Sequence, residues 1–285
     1  MTNKRSAPES RKGGASPLDR ILFGLVAAAT LPILTAGGLR AQDTQDWCRQ
    51  NWSGRDHGER FCEVREETLA PPAGGLNVDA EPNGSIRVRA AAGGQVRVQA
   101  RVETHASSLE EARALAKQVE ISTEGGRIRA RGPHDGHDQW WSVSYRIEAP
   151  AATDVSLRAM NGSIDLRGMT GTTRFRTLNG GVDLADMAGD VSGSTTNGGL
   201  DIVLAGRRWE GAGLDVRTTN GGVDLTIPEG YSAHLITSTV NGGLDLGFPI
   251  TVQGRIDRDL TVDLGGGGTT IRAATTNGGV HLHRG

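Results

Sequence analysis

Six acids and one imidazole recur about every twenty residues: Asp165, Asp183, Asp201, Asp224, Asp245, Asp263 and then His281. Carboxylates stacked at strand spacing could hold a ladder of cations. At about 4.8 Å two of them repel by roughly 1 kcal/mol in water and by about 3–4 kcal/mol at an effective dielectric of 20. A wetted column is tolerable and a dry one is not, so the series reads first as a solvated outer face that discourages sheet association. A second cluster, His134, Asp135, His137 and Asp138 in "GPHDGHDQWW", has metal-ligand types. Gly, Pro and Asp also write a polar hairpin loop, which is the preferred reading.

Cys48 and Cys62 are the only cysteines. With His57 they make three zinc ligands and lack a fourth, whereas two cysteines in an oxidising compartment usually pair. A disulfide is therefore expected, closing a 15-residue loop and contributing about 3 kcal/mol. Arg207, Arg208, Trp209 and Tyr231 are types enriched at binding hot spots. An exposed Trp beside Arg could stack on a sugar or pair with an acidic glycan. The alternative is that Trp209 folds back over the sheet edge.

The elements that carry these residues follow from a repeat. "RTLNGGVDL", "STTNGGLDI", "RTTNGGVDL", "STVNGGLDL" and "ATTNGGVHL" share one turn, and "MNGSIDL" opens the series. The turn asparagines are Asn161, Asn179, Asn197, Asn220, Asn241 and Asn277, in steps of 18, 18, 23, 21 and 36 residues. The last step is twice 18, and "DLTVDL" at 259–264 stands where a degenerate copy is expected. Apolar residues alternate on both sides of the turn, so each lap is strand, N-G-G turn, strand. Asn and Gly tolerate positive φ, the conformation expected at such a bend. A period near twenty residues is the mark of stacked laps.

The fold expected is all-β: a single-stranded parallel β-solenoid, or β-helix, of 18–23 residues per lap, with about seven regular laps over 155–285. Val223 and Leu225 should be buried and Asp224 exposed. Thr177, Thr195, Thr218, Thr239 and Thr275 share the inward parity, which counts against a flat ice-binding face. Two laps are lengthened in the same segment, "LAGRRWEGAG" (204–213) and "IPEGYSA" (227–233), and such insertions emerge on one face. One short helix is expected in "SSLEEARALAKQV", where Ser108 and Glu111 form a capping box.

Residues 1–41 read as a signal peptide: a basic start, an apolar run broken by Pro32, and small residues before a cut after Ala41. An uncleaved anchor is the alternative. Cleavage removes six basic and two acidic residues and leaves 25 and 31, a net charge of −6. Nucleic acid is not an expected partner of such a chain. Residues 42–72 form an N-terminal disulfide-bearing segment and linker, and 73–285 the repeat domain.

An exported chain with "WWSVSYRIEAP" followed by stacked "NGGVDL" and "TTNGGLDI" units resembles the bacterial putative-adhesin family. The resemblance covers about residues 73–285. It implies a β-solenoid of the cell envelope or surface without catalytic residues, and leaves Cys48–Cys62 outside its reach. The expected function is a non-catalytic scaffold or adhesin-like binding module in the periplasm, outer envelope or outside the cell. Its partner would be a glycan or envelope protein, with no cofactor and no membrane span after cleavage. A periplasmic envelope-stress sensor is the alternative. A polysaccharide-active β-helix enzyme is the remote one, because its acids would have to cluster in a groove rather than recur once per lap.

Overall fold

The computed structural model describes residues 46–48, 58–134, 136, 138–249 and 258–285. The expected signal segment (1–41), His57, Asp135 and His137 lie outside the described residues. Those described are mostly strand, with one helix of ten residues.

Each N-G-G turn joins two strands that lie in different sheets. The laps are β8 (Val155–Asn161) with β9 (Ile164–Arg167), β10 (Thr172–Asn179) with β11 (Val182–Ala185), and β12 (Asp190–Asn197) with β13 (Leu200–Val203). They continue as β14 (Gly213–Asn220) with β15 (Val223–Ile227), β16 (Ala233–Asn241) with β17 (Leu244–Leu246), and β19 (Thr270–Asn277) with β20 (Val280–Arg284). Strands before each turn pair in parallel with each other, and so do those after it. Asn pairs with Asn across every step, so one register runs through the stack. Because strand side chains alternate, that register sends Val223 and Leu225 into the core, both 0% exposed, and leaves Asp224 outside.

The stack begins earlier in the chain than the regular repeats. Strand β2 (Leu76–Asp79) pairs with β8, and β3 (Ile86–Ala90) with β9, so the "NGSIRV" turn at Asn83 supplies a first lap. The parallel order continues for one more strand in each sheet, β7 (Trp140–Ala149) on β3 and β6 (Arg127–Arg131) on β2, and then ends. Strands β1 (Glu59–Leu69), β4 (Val96–Ala106) and β7 (Trp140–Ala149) extend the first sheet, with β4 antiparallel to both neighbours. Strands β5 (Glu120–Ser122) and β6 (Arg127–Arg131) end the second sheet as an antiparallel pair. The first sheet runs β1-β4-β7-β3-β9-β11-β13-β15-β20-β17 and the second, with β18 (Asp259–Leu264) at its edge, β18-β16-β19-β14-β12-β10-β8-β2-β6-β5. Inward residues of both form one apolar core. The helix α1 (Leu109–Gln118) packs on β4 and β1 and buries Ala112, Leu115 and Ala116. Ser108 Oγ accepts from the Glu111 amide at 3.2 Å, and Arg65 donates to the carbonyls of Ala116 and Val119 at the far end.

Three expectations change. The sheets are mixed and unclosed rather than parallel throughout. Asp259–Leu264, strand β18, is not a lap: no N-G-G turn carries it into the first sheet, and it folds back antiparallel on β16 at the edge of the second. The laps also depart from chain order, since β19 and β20 lie between the β14–β15 lap and the β16–β17 lap.

The turn itself works differently from its first reading. No turn Asn has positive φ; outside glycine, Asp186 (φ 54°) alone does among the described residues. The demand for glycine comes instead from stacking distance. A Cβ on Gly162, Gly180, Gly198, Gly221, Gly242 or Gly278 would lie 2.0–2.1 Å from the carbonyl oxygen of the neighbouring turn. The second glycine is freer, and Ser85 and Ser163 occupy its place in the first two laps. Around this contact the amides of Asn83, Asn161, Asn179, Asn197, Asn220, Asn277 and Asn241 form a hydrogen-bonded ladder at 2.7–2.9 Å. Buried Thr177, Thr195, Thr218, Thr275 and Thr239 each donate to the first glycine carbonyl of an adjacent lap, at 2.7–3.0 Å.

Candidate functional site

The outer face of the first sheet collects the charged positions of the repeat. Register aligns one row across it: Glu66, Gln99, Arg146, Arg87, Asp165, Asp183, Asp201, Asp224, His281 and Asp245. The row beside it reads Thr68, Arg97, Glu148, Arg89, Arg167, Ala185, Val203, Thr226 and His283. The face is therefore divided into a basic end on β4, β7, β3 and β9 and an acidic end on the later laps.

The divide lies at Asp165. Expected outside with the other acids, it is buried at 7% exposure, because two guanidiniums cover it: Arg87 Nε at 2.7 Å and Arg167 Nε at 3.2 Å. Beyond it, partial burial and then the charges of Asp165 and Asp201 push the Asp183 carboxyl above its ordinary range, while Arg167 and Arg87 oppose the rise. At the far end His283 Nε2 lies 3.5 Å from Asp224, and His281 Nδ1 lies 3.6 Å from Asp245. No group of three or more His, Cys, Asp or Glu is placed to hold a metal ion among the described residues.

Two shallow cavities of about 220 Å³ each open on the basic end. They share Arg87 and Arg146. One is completed by Trp47, Arg101, Asp165 and the hydroxyl residues Ser85, Ser144 and Ser163; the other by Arg89, Arg97, Gln99 and Glu148. Arg87 faces Arg146 directly across the strands, and Arg89 faces Arg167. Like charges placed opposite each other cost stability. Arg97 pairs with Glu66, and Glu148 lies 3.7 Å away. Trp47 is buried against this end, with the Arg146 guanidinium 3.9 Å and that of Arg101 5.2 Å from its ring. The Cys48–Cys62 disulfide holds Trp47 there by tying the segment to β1. Trp47 thereby lies over the outer face of the first sheet.

The sequence-derived binding residues lie elsewhere. The two insertions do meet: Arg208 and Ser232 form a parallel bridge, and the Ser232 amide donates to the Arg207 carbonyl at 2.8 Å. Trp209 is 4% exposed and its Nε1 donates to the Gly189 carbonyl at 2.9 Å. Tyr231 is 3% exposed, and burial, with Glu210 nearby, pushes its phenol up to about 12. Arg207 and Arg208 remain at the surface, and Arg208 pairs with Glu210 at 2.8 Å. His134 and Asp138 are exposed. The basic end escaped the sequence reading because its arginines come from strands up to 80 residues apart. Its one local sign was Arg87 standing where later laps carry Asp.

No protein-family profile and no curated protein matches the chain. Among solved structures it is similar to a putative cell adhesion protein from Clostridium sporogenes, at 10% identity over 78% of this chain and 100% of that one, with a TM-score of 0.35. A putative adhesin from Bacteroides fragilis matches at 12% identity over 79% and 97%, TM-score 0.31. Another, from Parabacteroides merdae, matches at 8% identity over 78% and 95%, TM-score 0.32.

Proposed function

We propose that the protein is an exported, non-catalytic adhesin-like module of the cell envelope, in which solenoid-type laps present the basic end as a binding face for an acidic polymer. The carrying observation is the set of guanidiniums projecting from four adjacent strands: Arg87 and Arg89, Arg97, Arg146 and Arg167. Two like-charge pairs face each other within it; Asp165 offsets one member of each, Arg87 and Arg167, and an anion at the surface would add to that relief. Arginine suits the task because its planar fork meets carboxylate and phosphate with two hydrogen bonds. The repeated residues, by contrast, are used by the fold: Asn, Thr and Gly of each lap bond to or touch the next.

The test is a binding screen of the chain from residue 42 onward against uronic-acid and phosphate-bearing cell-wall polymers and their neutral counterparts. Arg89→Gln/Arg167→Gln serves as the comparison. At about 1 kcal/mol per exposed contact the double variant should bind an acidic polymer about thirtyfold more weakly, and added salt should weaken the parent as well. Equal binding by both proteins, or preference for neutral polymers, would remove this face from consideration.

A further inference from the structure

The break in lap order carries a second kind of binding. After the β14–β15 lap the chain does not lay its next lap alongside. It leaves a slot one lap wide, builds β16–β17 on the far side, turns back through β18, and only then fills the slot with β19–β20. Both walls receive the filling lap in one register. Asn277 lies between Asn220 and Asn241, Thr275 between Thr218 and Thr239, and Ile271 between Leu214 and Leu235. The fit at the turn is strict. A Cβ on Gly278 would meet the Gly221 carbonyl oxygen at 2.1 Å, and one on Gly242 would meet that of Gly278 at 2.0 Å. Only a lap with glycine at this place can enter.

The filling lap hangs on four consecutive glycines, Gly265–Gly268, three of them at positive φ (55°, 72° and 132°). A Cβ at Gly266 would meet nothing within 4 Å. Two bonds hold the tether in place, the Gly266 amide to Ser232 Oγ at 3.2 Å and the Gly267 amide to the Leu264 carbonyl at 2.9 Å, and once they are released four glycines in a row make a short linker of the flexible class. Nothing in the slot distinguishes a lap on its own tether from the same lap on another's: walls, register and turn contacts are the same.

We infer that residues 269–285 are an exchangeable lap, and that the slot of one copy takes this lap from a second copy, linking chains by swapping. With the lap's contacts equal in both arrangements, the intramolecular lap is favoured chiefly by its effective concentration, which for a short glycine tether is on the order of millimolar. Exchange is then a matter of chain concentration: about 1% of slots at 10 µM and about half at 1 mM.

Arg217→Cys in one chain and Ala274→Cys in another report this directly. The two positions are cross-strand partners on β14 and β19, and a swapped lap is what brings them together between chains. The full-length variants are unfolded in acidic urea, which keeps the native disulfide closed, then mixed, refolded and oxidised. A covalent heterodimer should form at 1 mM and fall about fiftyfold at 10 µM. Heterodimer no more abundant at 1 mM than the homodimers of each variant alone would overturn the inference. Far-UV circular dichroism and melting temperature establish that the variants fold. If either does not, Asp224→Cys with His281→Cys, partners on β15 and β20, gives the same readout.

Discussion

Alanine at Gly198 would place a methyl carbon 2.1 Å from the Gly180 carbonyl oxygen. Ordinary contact begins near 3.4 Å, so the turns must part by more than 1 Å. Several hydrogen bonds cross that gap or involve the moved residue, among them Thr195 Oγ1 to the Gly180 carbonyl at 2.8 Å. Asn197 Nδ2 donates to Asn179 Oδ1 at 2.7 Å, the Gly180 amide to Asn197 O at 3.0 Å, the Gly198 amide to Asn220 O at 3.0 Å, and Thr218 Oγ1 to Gly198 O at 2.7 Å. At about 1 kcal/mol net each, losing most of them costs about 3–4 kcal/mol. The neighbouring glycine is the control. A Cβ on Gly199 meets its nearest atom, Gly222 O, at 3.5 Å, which is ordinary packing. Its φ is not positive, so Gly199→Ala should lie within about 0.5 kcal/mol of the parent or gain up to about 1 kcal/mol through the unfolded chain. Urea unfolding at one pH measures both, with unchanged m-values licensing the comparison. In a domain of this size the Gly198 loss lowers the melting temperature by about 6–16 °C. Equal stability of the two variants would mean that stacking distance does not explain the glycine, and that the turn's φ values must be reconsidered.

Asn197→Asp keeps an acceptor for Asn220 but cannot donate to Asn179, so it should cost about 1–2 kcal/mol in the same unfolding assay, whereas Asn→Asp at an unpaired surface site costs nothing measurable. The Asp183 carboxyl is raised in the fold above its unfolded value near 3.8, so its charged form opposes folding; stability should fall as pH rises from below 3.8 through the raised value. Asp183→Asn should therefore gain up to about 1 kcal/mol at pH 7 and nothing at pH 3, and a gain that persists at pH 3 would contradict the cause assigned. Free-thiol titration of the unreduced protein should find no thiol, and reduction of Cys48–Cys62 should remove about 3 kcal/mol of stability, judged by urea midpoint. Trp209→Phe keeps most of the ring but removes one of two bonds to the Gly189 carbonyl, which retains the Gly213 amide at 3.1 Å, for a loss of about 0.5–1.5 kcal/mol; no change in melting temperature would show the indole bond to be idle.

Residue type and spacing alone determined what lies inside each lap. Val223, Leu225 and Thr218 point inward and Asp224 outward because strand side chains alternate with a period of two, a local rule that needs no partner. The cysteine pair was legible for a similar reason, as two thiols fourteen residues apart with no competitor. Which lap neighbours which is another kind of fact. Laps that present Leu214, Leu235 or Ile271, then Thr218, Thr239 or Thr275, to each other offer nearly equal interfaces. Their order is a choice among near-equals that depends on the whole chain, through β18 and the glycine tether, and no window of sequence encodes it. The glycine's role was hidden likewise: a turn read by itself suggests a φ requirement, while the contact that excludes a side chain comes from a carbonyl 18 residues away, Gly180 beneath Gly198. Asp165 repeats the pattern of its series in sequence, yet is buried because Arg87, 78 positions earlier, lies on the adjacent strand. Alternation belongs to the backbone of one strand; proximity between strands belongs to the assembled sheets.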